Sequence, residues 1–440
     1  MIYKVLKVLV KMTMFFFFKK RIIKNAENIP ASGPTILVAN HPVTFLDPLL
    51  AAVATKRQVH FLAKGVLFKN GLIRAIFKKF NMIPVYRAQD NPSDMSKNQD
   101  TFRYCYEHLE KGGLIMIFPE GISITDRTLK PLKTGVARIA LGAEARNDFE
   151  LGVKIVPIGL TYEAPHEFRK DVLVNIGKPI NISAYKEPYG INDRKTVTTI
   201  TNEIRGNLEK LVLNVNDPIL TPTVDFLIRE NAQKEVPFET SVSCIKQVIA
   251  DINDQSTELE VQNLASRMDE LIQKKTEIGL KDLNTFERRK SILMDSLVSI
   301  ITLFVGVPML IFGFIHNAIP YYLSPRLAKL ISKEYEFQGP ITMTAGMVLC
   351  LILYPIFFVL MLSYSDSWLI ALIYMVSLPI GGILTYGFVQ QLNWLKLEWK
   401  FLILFHKRSD KVAELILEKR AFLKDLYAGH STSLLANDQR

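Results

Sequence analysis

Three uncharged apolar stretches in the C-terminal third of the chain constrain its fold more than any other feature. Residues 296–325, 341–362 and 368–389 contain no Asp, Glu, Lys or Arg, and the last two are each 22 residues long. A helix of about 20 apolar residues is long enough to cross the hydrocarbon core of a bilayer. The sequence therefore predicts a membrane domain over residues 291–390 with transmembrane helices.

Basic clusters lie before, within and after this membrane domain, at residues 288–290, 326–333 and 396–408. Because positive clusters remain on the cytoplasmic side, three full spans would place some of them on the wrong side. The first stretch contains Gly306, Pro308, Gly313 and Pro320, which favour a bent, re-entrant or interfacial path. We therefore expect the first stretch not to cross the membrane fully. The other two stretches then form a helical hairpin whose loop, residues 363–367, lies on the outer side of the membrane. Three ordinary spans remain the alternative.

The first 24 residues predict an amphipathic helix that lies in the membrane interface. On a helix, Lys4, Lys7 and Lys11 fall within about 60° of one another. The other faces are apolar and include the run Met14–Phe18. A lysine-rich face opposite an apolar face is typical of interfacial helices. A signal peptide is disfavoured because the charges are interspersed and no small-residue cleavage site follows.

Residues 25–190 alternate between strand-like and helix-like patterns, which predicts an α/β sandwich with a largely parallel sheet in a domain over residues 25–215. Residues 216–290 are polar, charged and helical in pattern, and we interpret them as a helical accessory region. Residues 391–440 follow the membrane domain and are expected to form a cytoplasmic tail. The α/β domain is thus the part of the chain in which we look for chemistry.

A histidine and an aspartate leave the end of one predicted strand together. His41 and Asp47 follow the apolar run Thr35–Val38 within a single short turn. There, a carboxylate would hold an imidazole in the tautomer that accepts a proton from a hydroxyl. The alternative is a histidine that caps the next helix, with Asp47 making ordinary turn contacts beside Pro48.

Two further strand ends carry charged side chains. Glu120 follows the buried-strand run Leu114–Ile117, at the position where open α/β sheets bind ligands. Arg87 ends the strand-like run that starts at Asn81, and its guanidinium could bind a phosphate. The alternatives are a plain turn at Glu120 and a solvated surface arginine at Arg87. In a parallel sheet, His41, Arg87 and Glu120 would share one edge.

The net charge and the cysteine content of the chain limit the classes of partner that it can bind. The 54 Lys and Arg exceed the 43 Asp and Glu, so the formal net charge is +11. A basic chain binds nucleic acid or an anionic membrane, and the absence of a nucleic-acid-binding motif together with the long apolar segments favours the membrane. The three cysteines, at positions 105, 244 and 350, are too far apart for a metal motif or a disulfide framework.

Four runs of this chain, namely the three strand ends and Ile155–Gly159, have the order and spacing of four motifs in a known family. They resemble the glycerophospholipid acyltransferase family, which comprises PlsC-like bacterial and eukaryotic glycerolipid enzymes. The resemblance covers about residues 25–190. Two features depart from the common pattern, because five residues rather than four separate His41 from Asp47, and Ser123 stands where the family has an arginine. Both departures, and the run 123–135, are similar to the fungal-type glycerol-3-phosphate/dihydroxyacetone-phosphate acyltransferases and their bacterial relatives.

This resemblance implies a membrane-bound O-acyltransferase with its catalytic domain on the cytoplasmic face. The expected donor is acyl-CoA or acyl carrier protein, and the expected acceptor is glycerol-3-phosphate or a related glycerophosphate. The residues implied are His41 as base, Asp47 as its orienting partner, Glu120 and Gly121 on the acceptor, and Arg87, Arg127 and Lys133 on its phosphate. Lys130 is a further basic residue available in place of the missing arginine. No metal, cofactor or nucleic acid is expected.

Three other functions stay open on the sequence alone. The acceptor could be 1-acylglycerol-3-phosphate or another lysophospholipid. The chain could be a lipid-binding scaffold on an inactive acyltransferase fold, although the intact His41, Asp47 and Glu120 argue against it. A serine or thiol hydrolase would need a nucleophile beside His41; Thr44 is a poor candidate, and no Gly-x-Ser-x-Gly motif is present.

Overall fold

A computed structural model of the protein describes residues 2–87, 92–280, 283 and 292–427. The chain forms two compact units. The first comprises Met1–Asn216 and Ser332–Pro340, and the second comprises Asp217–Ile331 and Ile341–Arg440. The nine residues 332–340, which are predicted to lie in the membrane domain, thus belong to the unit that contains His41. They are mostly polar, in contrast to the apolar stretches on either side.

The first unit is built on one sheet. Its strands are β1 Arg21–Lys24, β2 Thr35–Ala39, β3 His60–Lys64, β4 Met82–Val85, β5 Leu114–Ile117, β6 Lys154–Tyr162, β7 Val172–Ile176 and β8 Ile180–Asn181. Its helices are α1 Ile2–Phe17, α2 Leu46–Ala54, α3 Gly71–Lys79, α4 Asn98–Glu110, α5 Gly135–Ala145, α6 Lys186–Ile191 and α7 Asp193–Leu211. The strands alternate with helices along most of the unit, as predicted.

The sheet order is β1-β7-β6-β2-β5-β3-β4, with β8 beside β6. The β6 strand is antiparallel to β7 and β8, and the other pairs of neighbours are parallel. The predicted fold class is therefore confirmed. Every residue of β2 and β5 is buried, which explains their unbroken apolar sequences. The carboxyl ends of β2, β5 and β4 lead to His41, Glu120 and Arg87 respectively.

Helices α4, α5 and α7 contribute the main apolar core of this unit. Leu109 of α4, Ile139 of α5 and Ile204 of α7 pack in one cluster with Ile36 of β2 and Ile115 of β5. All five side chains are essentially inaccessible to solvent. Deleting such a side chain to alanine typically costs 2–5 kcal/mol of stability. This core fixes the strands from which the candidate site emerges.

The N-terminal helix is shorter than predicted. Helix α1 ends at Phe17, and the predicted helical residues 21–24 instead form strand β1, which pairs in parallel with β7. The isoleucines at positions 22 and 23 suit a strand, and the pairing satisfies their backbone groups. Met14, Phe17 and Phe18 are buried in the first unit.

A different face of α1 remains apolar and exposed. Val5, Val8, Met12 and Phe15 are each more than half exposed. Their spacing of three and four residues places them on one side of the helix. The same helix is tied to the unit by Lys7, whose ammonium donates to the Thr55 carbonyl at 2.7 Å. The exposed apolar stripe is the surface expected of an interfacial helix.

Two histidine rings lie against each other inside the first unit, with their planes tilted by 45°. The ring centroids of His60, on β3, and His108, on α4, are 3.8 Å apart. Neither His60 Nδ1 nor His108 Nε2 has a hydrogen-bond partner in the described part of the chain. Burial lowers the pKa of both rings, that of His60 to about 4 with a further contribution from His108. Both imidazoles are therefore neutral at physiological pH.

The second unit is helical. Its helices are α8 Thr221–Gln233, α9 Phe238–Gln255, α10 Glu258–Ile278, α11 Ile292–Ile331, α12 Tyr335–Ser365, α13 Trp368–Lys407 and α14 Ser409–Tyr427, with α12 starting in the first unit. Helices α8 and α14 share a buried ion pair, because Lys419 Nζ lies 2.9 Å from Glu230 Oε2. The helices α8 to α10 agree with the helical pattern of the accessory region.

Among the described residues, two helical stretches have the length and apolar composition needed to cross a membrane, namely Tyr335–Ser365 and Trp368–Phe401. They meet at a tight turn around Asp366, whose φ is +52°, where the hairpin loop was predicted. Helix α13 then continues to Lys407, well into the region assigned to the tail.

The interruption expected in the first apolar stretch is not observed. Helix α11 runs without a break through Pro308, Pro320 and Pro325. It packs closely on α13, since a Cβ placed on Gly313 would lie 2.3 Å from the Gly381 carbonyl oxygen. Prolines are tolerated in helices supported in this way by neighbouring helices.

A half-buried amide joins the three long helices. Asn317 of α11 donates through Nδ2 to the Leu378 carbonyl of α13 at 3.0 Å. Its Oδ1 accepts from the Tyr354 hydroxyl of α12 at 2.7 Å. Small residues and interhelical hydrogen bonds are how apolar helices associate in lipid. The first apolar segment thus packs against the hairpin formed by α12 and α13.

Candidate active site

His41 and Asp47 form a hydrogen-bonded pair just beyond the carboxyl end of β2. His41 Nδ1 lies 2.8 Å from Asp47 Oδ2. The aspartate is fully buried, whereas the imidazole is 19% exposed. A proton on Nδ1, donated to the carboxylate, leaves the Nε2 lone pair to accept a proton from a substrate. The predicted pairing is therefore formed, and the reading of His41 as a simple helix cap is not needed.

Two more donors hold the Asp47 carboxylate. The Val43 N–H donates to Oδ2 at 2.8 Å, and the Tyr162 hydroxyl donates to Oδ1 at 2.6 Å. Burial, followed by the nearby Asp47 charge, raises the pKa of Tyr162 well above its ordinary value. Tyr162 therefore stays protonated and remains a donor. Three donors from the His41–Asp47 turn and from β6 fix the orientation of this carboxylate.

Glu120 links two loops of the site through backbone donors. Its Oε1 accepts from the His41 N–H at 2.9 Å, and its Oε2 accepts from the Lys130 N–H at 3.1 Å. Burial raises the pKa of the Glu120 carboxyl, while these N–H donors act in the opposite direction. A carboxylate has about four lone-pair positions, so each oxygen keeps capacity for one more donor.

The turn between His41 and Asp47 contains a strained residue. Thr44 has a φ of +32°, which a β-branched residue rarely adopts. The Thr44 N–H donates to Ser123 Oγ at 2.8 Å, and Thr125 Oγ1 donates to the Pro42 carbonyl at 2.8 Å. The loop after Glu120 therefore supports this turn. The Thr44 hydroxyl donates to the Glu336 carbonyl at 3.2 Å, so its proton is not directed at His41.

Arg87 and Lys133 both reach Gly121. The Arg87 guanidinium donates to the Gly121 carbonyl. Gly121 has a φ of +69°, and a Cβ there would lie 3.0 Å from Lys133 Nζ. Glycine is required at this position both for its backbone conformation and for the approach of the lysine. The structure thus brings both basic residues to the Glu120–Gly121 loop.

The other two basic candidates are oriented differently. Arg127 Nη1 donates to the Tyr162 carbonyl at 3.3 Å, at the end of β6. Lys130 Nζ forms an ion pair with Asp126. Arg127 is therefore near the residue that holds Asp47, whereas the Lys130 charge is compensated by a neighbour. The sequence could not distinguish these orientations.

Sequence reasoning missed two aromatic residues of the site. Phe118 stacks on the His41 ring, with centroids 4.1 Å apart and planes 19° from parallel. Tyr162 holds Asp47 from 115 residues away. Phe118 lies in the Phe-Pro-Glu-Gly run and could have been considered. Tyr162 is the last residue of a buried strand, and nothing in the neighbouring sequence indicates that its hydroxyl makes a hydrogen bond in the site.

Comparison with known proteins finds a family model that matches the part of the chain that carries this geometry. Residues 20–161 match the family model described as Acyltransferase. The chain contains an Acyltransferase-family domain. His41, Asp47, Arg87 and Glu120 all lie within this domain, and Tyr162 follows it directly.

Curated relatives match a part of the chain. Glycerol-3-phosphate O-acyltransferase 2 of Saccharomyces cerevisiae is 37% identical over 121 residues, which cover 27% of this chain and 16% of the relative. A 1-acyl-sn-glycerol-3-phosphate acyltransferase of Bacillus subtilis is 29% identical over 119 residues, or 27% of this chain and 55% of the relative. The chain thus spans a minor part of the yeast relative's length.

A solved structure is also similar to this chain. The 1-acyl-sn-glycerophosphate acyltransferase PlsC of Thermotoga maritima has 20% sequence identity and a TM-score of 0.34, covering 48% of this chain and 79% of the other. The strand order and directions given above establish the fold of the present chain without this likeness.

Proposed function

We propose that the protein is a membrane-bound O-acyltransferase that moves a fatty acyl group from acyl-CoA or acyl carrier protein to the hydroxyl of glycerol-3-phosphate or a related glycerophosphate. The observation that carries this proposal is the pairing of a partly exposed imidazole, His41, with a fully buried carboxylate, Asp47. The names of the yeast relatives support the acceptor class.

This geometry supports the following reaction. As the acceptor oxygen attacks the thioester carbonyl, His41 Nε2 takes the hydroxyl proton, and a new C–O bond forms. The Asp47 carboxylate stabilises the imidazolium that results. When the tetrahedral intermediate collapses, the C–S bond breaks and the thiolate leaves, and the proton on Nε2 passes to it. This proton transfer and acyl exchange need no metal or cofactor.

The acceptor would be held by the Glu120–Gly121 loop. Arg87 and Lys133 both lie against Gly121 and supply positive charge for a phosphate. The Glu120 carboxylate has unused lone pairs, which can accept a hydrogen bond from a hydroxyl of the glycerophosphate. Arg127, which lies on the Tyr162 carbonyl, is a weaker candidate for a phosphate contact. This assignment makes positive charge the determinant of acceptor binding.

A panel assay with purified protein in detergent micelles tests the proposal. Palmitoyl-CoA and palmitoyl acyl carrier protein are offered with glycerol-3-phosphate, dihydroxyacetone phosphate and 1-acylglycerol-3-phosphate. We expect transfer to a glycerophosphate that His41→Ala lowers by a factor of about 10²–10⁴, whereas the exposed His406→Ala, a matched control, leaves it unchanged. Absence of transfer to every acceptor, or normal turnover of His41→Ala, would refute the proposal.

The second candidate acceptor is 1-acylglycerol-3-phosphate. The names of the Brassica napus and Bacillus subtilis relatives favour it. The same assay separates the two acceptors by their kcat/KM values. A preference for the acylated acceptor of tenfold or more would assign the protein to this second reaction.

We further propose that the protein is anchored in a membrane with its catalytic unit and its tail on the cytoplasmic side. The exposed apolar stripe of α1 and the apolar helices α12 and α13 support the membrane contact. Basic residues flank the apolar segments, as expected of cytoplasmic ends.

Cysteine labelling tests this topology in a variant that lacks the three native cysteines. An impermeant maleimide applied to intact cells should reach Ser365→Cys in the hairpin turn. It should not reach Ser431→Cys, which lies outside the described residues. Labelling of Ser431→Cys from outside would contradict the proposed orientation.

A further inference from the structure

One segment between the long helices lies against the His41–Asp47 turn. This interhelical segment is Ser332–Pro340, which belongs to the first unit although it connects α11 to the apolar part of α12. It carries no residue identified above as part of the chemistry. Its contacts nevertheless lead to both sides of Asp47.

The first contact reaches the strained residue of the turn. The Glu336 carbonyl accepts from the Thr44 hydroxyl at 3.2 Å across 292 residues of sequence. Thr44 follows Val43, whose N–H donates to Asp47. A positive φ at a β-branched residue persists only where its surroundings enforce it. The hydrogen bonds to Ser123 and to Glu336 are two such constraints on Thr44.

The second contact anchors the segment on the loop that follows β6. The Gly339 N–H donates to His166 Nδ1 at 3.2 Å, and the ring centroids of Tyr335 and His166 are 3.7 Å apart. Gly339 itself packs on the backbone, because a Cβ there would lie 2.4 Å from the Pro165 carbonyl oxygen. This loop begins directly after Tyr162, which donates to Asp47.

We propose that the interhelical segment is a positioning element, which holds the His41–Asp47 turn in its catalytic conformation by docking on Thr44 and on the loop after β6. The consequence for acyl transfer rests on the proposed function; the docking itself does not. A displaced segment would leave Thr44 free to relax its backbone. His41 and Asp47 would then lose their fixed geometry, and misplacement by about 1 Å can cost about 100-fold in rate.

A pair of glycine substitutions in helix α12 provides the test and its control. Gly339→Ala places a methyl group against the Pro165 carbonyl and forces the segment away from it. Gly346→Ala is the matched control, since its Cβ would meet its nearest neighbour, Ser324 Oγ, at an ordinary 3.6 Å. Both changes replace glycine with the best helix former in the same helix.

Hydrogen exchange of the full-length protein in micelles gives a readout that does not depend on activity. We expect the Val43 and Thr44 amides to exchange at least about tenfold faster in Gly339→Ala than in the wild type, and Gly346→Ala to match the wild type. Equal exchange in both variants would overturn the proposal, even if the wild type transferred acyl groups to no acceptor.

Kinetics add a second readout. Gly339→Ala should lower kcat about 10- to 100-fold with little change in the KM of either substrate, because only the geometry of the base is disturbed. An increase in acceptor KM at constant kcat would instead make the segment part of the acceptor site, and would overturn a positioning role.

Thr44 offers an independent variant on the other side of the contact. Thr44→Val keeps the side-chain shape but cannot donate to Glu336, whereas Thr44→Ser retains the hydroxyl. We expect Val to accelerate exchange and lower kcat, and Ser to restore both. The double variant with Gly339→Ala should lose no more than the stronger single variant, because both act by releasing one segment. Additive losses would contradict that shared cause.

Discussion

Substituting Asp47 with asparagine separates the charge of this residue from its geometry. Two N–H donors, from His41 and from Val43, converge on Oδ2. The carbonyl oxygen of asparagine must take that position, because an amide NH₂ there would face two donors. The NH₂ group then faces Tyr162, whose hydroxyl can rotate to accept from it. The histidine tautomer and the hydrogen-bonded geometry are thus retained, and only the charge is lost.

The expected loss follows from the strength of the bonds. Hydrogen bonds to charged groups contribute roughly 1.5–3 kcal/mol, and neutral ones roughly 0.5–1.5 kcal/mol. Losing the charge should therefore cost about 1–2 kcal/mol in the transition state, or a roughly 5- to 30-fold lower kcat. His41→Ala removes the base itself and should cost about 10²–10⁴. Asp47→Asn should accordingly keep measurable activity.

Asp47→Ala provides the structural comparison. It leaves the Val43 N–H and the Tyr162 hydroxyl buried without acceptors, at about 1–3 kcal/mol each. We expect a clear fall in the thermal midpoint for Asp47→Ala and little change for Asp47→Asn. The assay is steady-state acyl transfer with a thermal melt of the same preparations. The reasoning would be refuted if Asp47→Asn kept its thermal midpoint but lost as much kcat as His41→Ala.

Three further predictions concern other parts of the molecule. Arg87→Ala should raise the KM for a phosphorylated acceptor about 10- to 100-fold more than the KM for the acyl donor, because a charged hydrogen bond contributes roughly 1.5–3 kcal/mol; equal effects would remove Arg87 from the phosphate site. The pKa of His60 is about 4 in the folded protein and 6.5 ordinarily, so only the unfolded state binds the proton as the pH falls from 6.5 to 4. The thermal midpoint should therefore fall as the pH is lowered through this range, and His60→Phe should weaken that dependence. Gly313→Leu should separate α11 from α13 and lower the thermal midpoint in detergent, whereas Gly387→Leu, whose Cβ would meet nothing within 4 Å, should not.

Local sequence signals were sufficient for most of the sheet. Strands 35–39 and 82–85 and helix 46–54 each form in a short apolar run between turn-forming residues. Strand β1 was assigned to the preceding helix, because its four residues show no alternation of their own. Its strand conformation depends on pairing with β7, about 150 residues later. A pairing of that kind leaves little trace in the local sequence.

The candidate site divides in the same way. His41, Asp47 and Glu120 were predicted because polar residues at the carboxyl ends of parallel strands converge on one edge of the sheet. The orientation of Asp47 depends on Tyr162, and the support of Thr44 depends on Glu336, both distant in sequence. The sequence therefore predicted the groups that we propose to act in the reaction, whereas the groups that position them required the three-dimensional structure.

The two departures from the common family pattern meet in one hydrogen bond. The five residues between His41 and Asp47 form a turn with one residue more than usual, and Thr44 within it takes a positive φ. The N–H of this strained residue donates to Ser123, the residue that replaces the usual arginine. A longer turn leaves a buried N–H that needs an acceptor, and an arginine side chain, which only donates, could not supply one. The serine and the longer turn are therefore physically coupled.

Because this serine supplies the acceptor that the turn needs, any phosphate contact made by the family arginine must come from another residue. Arg87 and Lys133, which lie on Gly121 only two residues before Ser123, are placed to supply it.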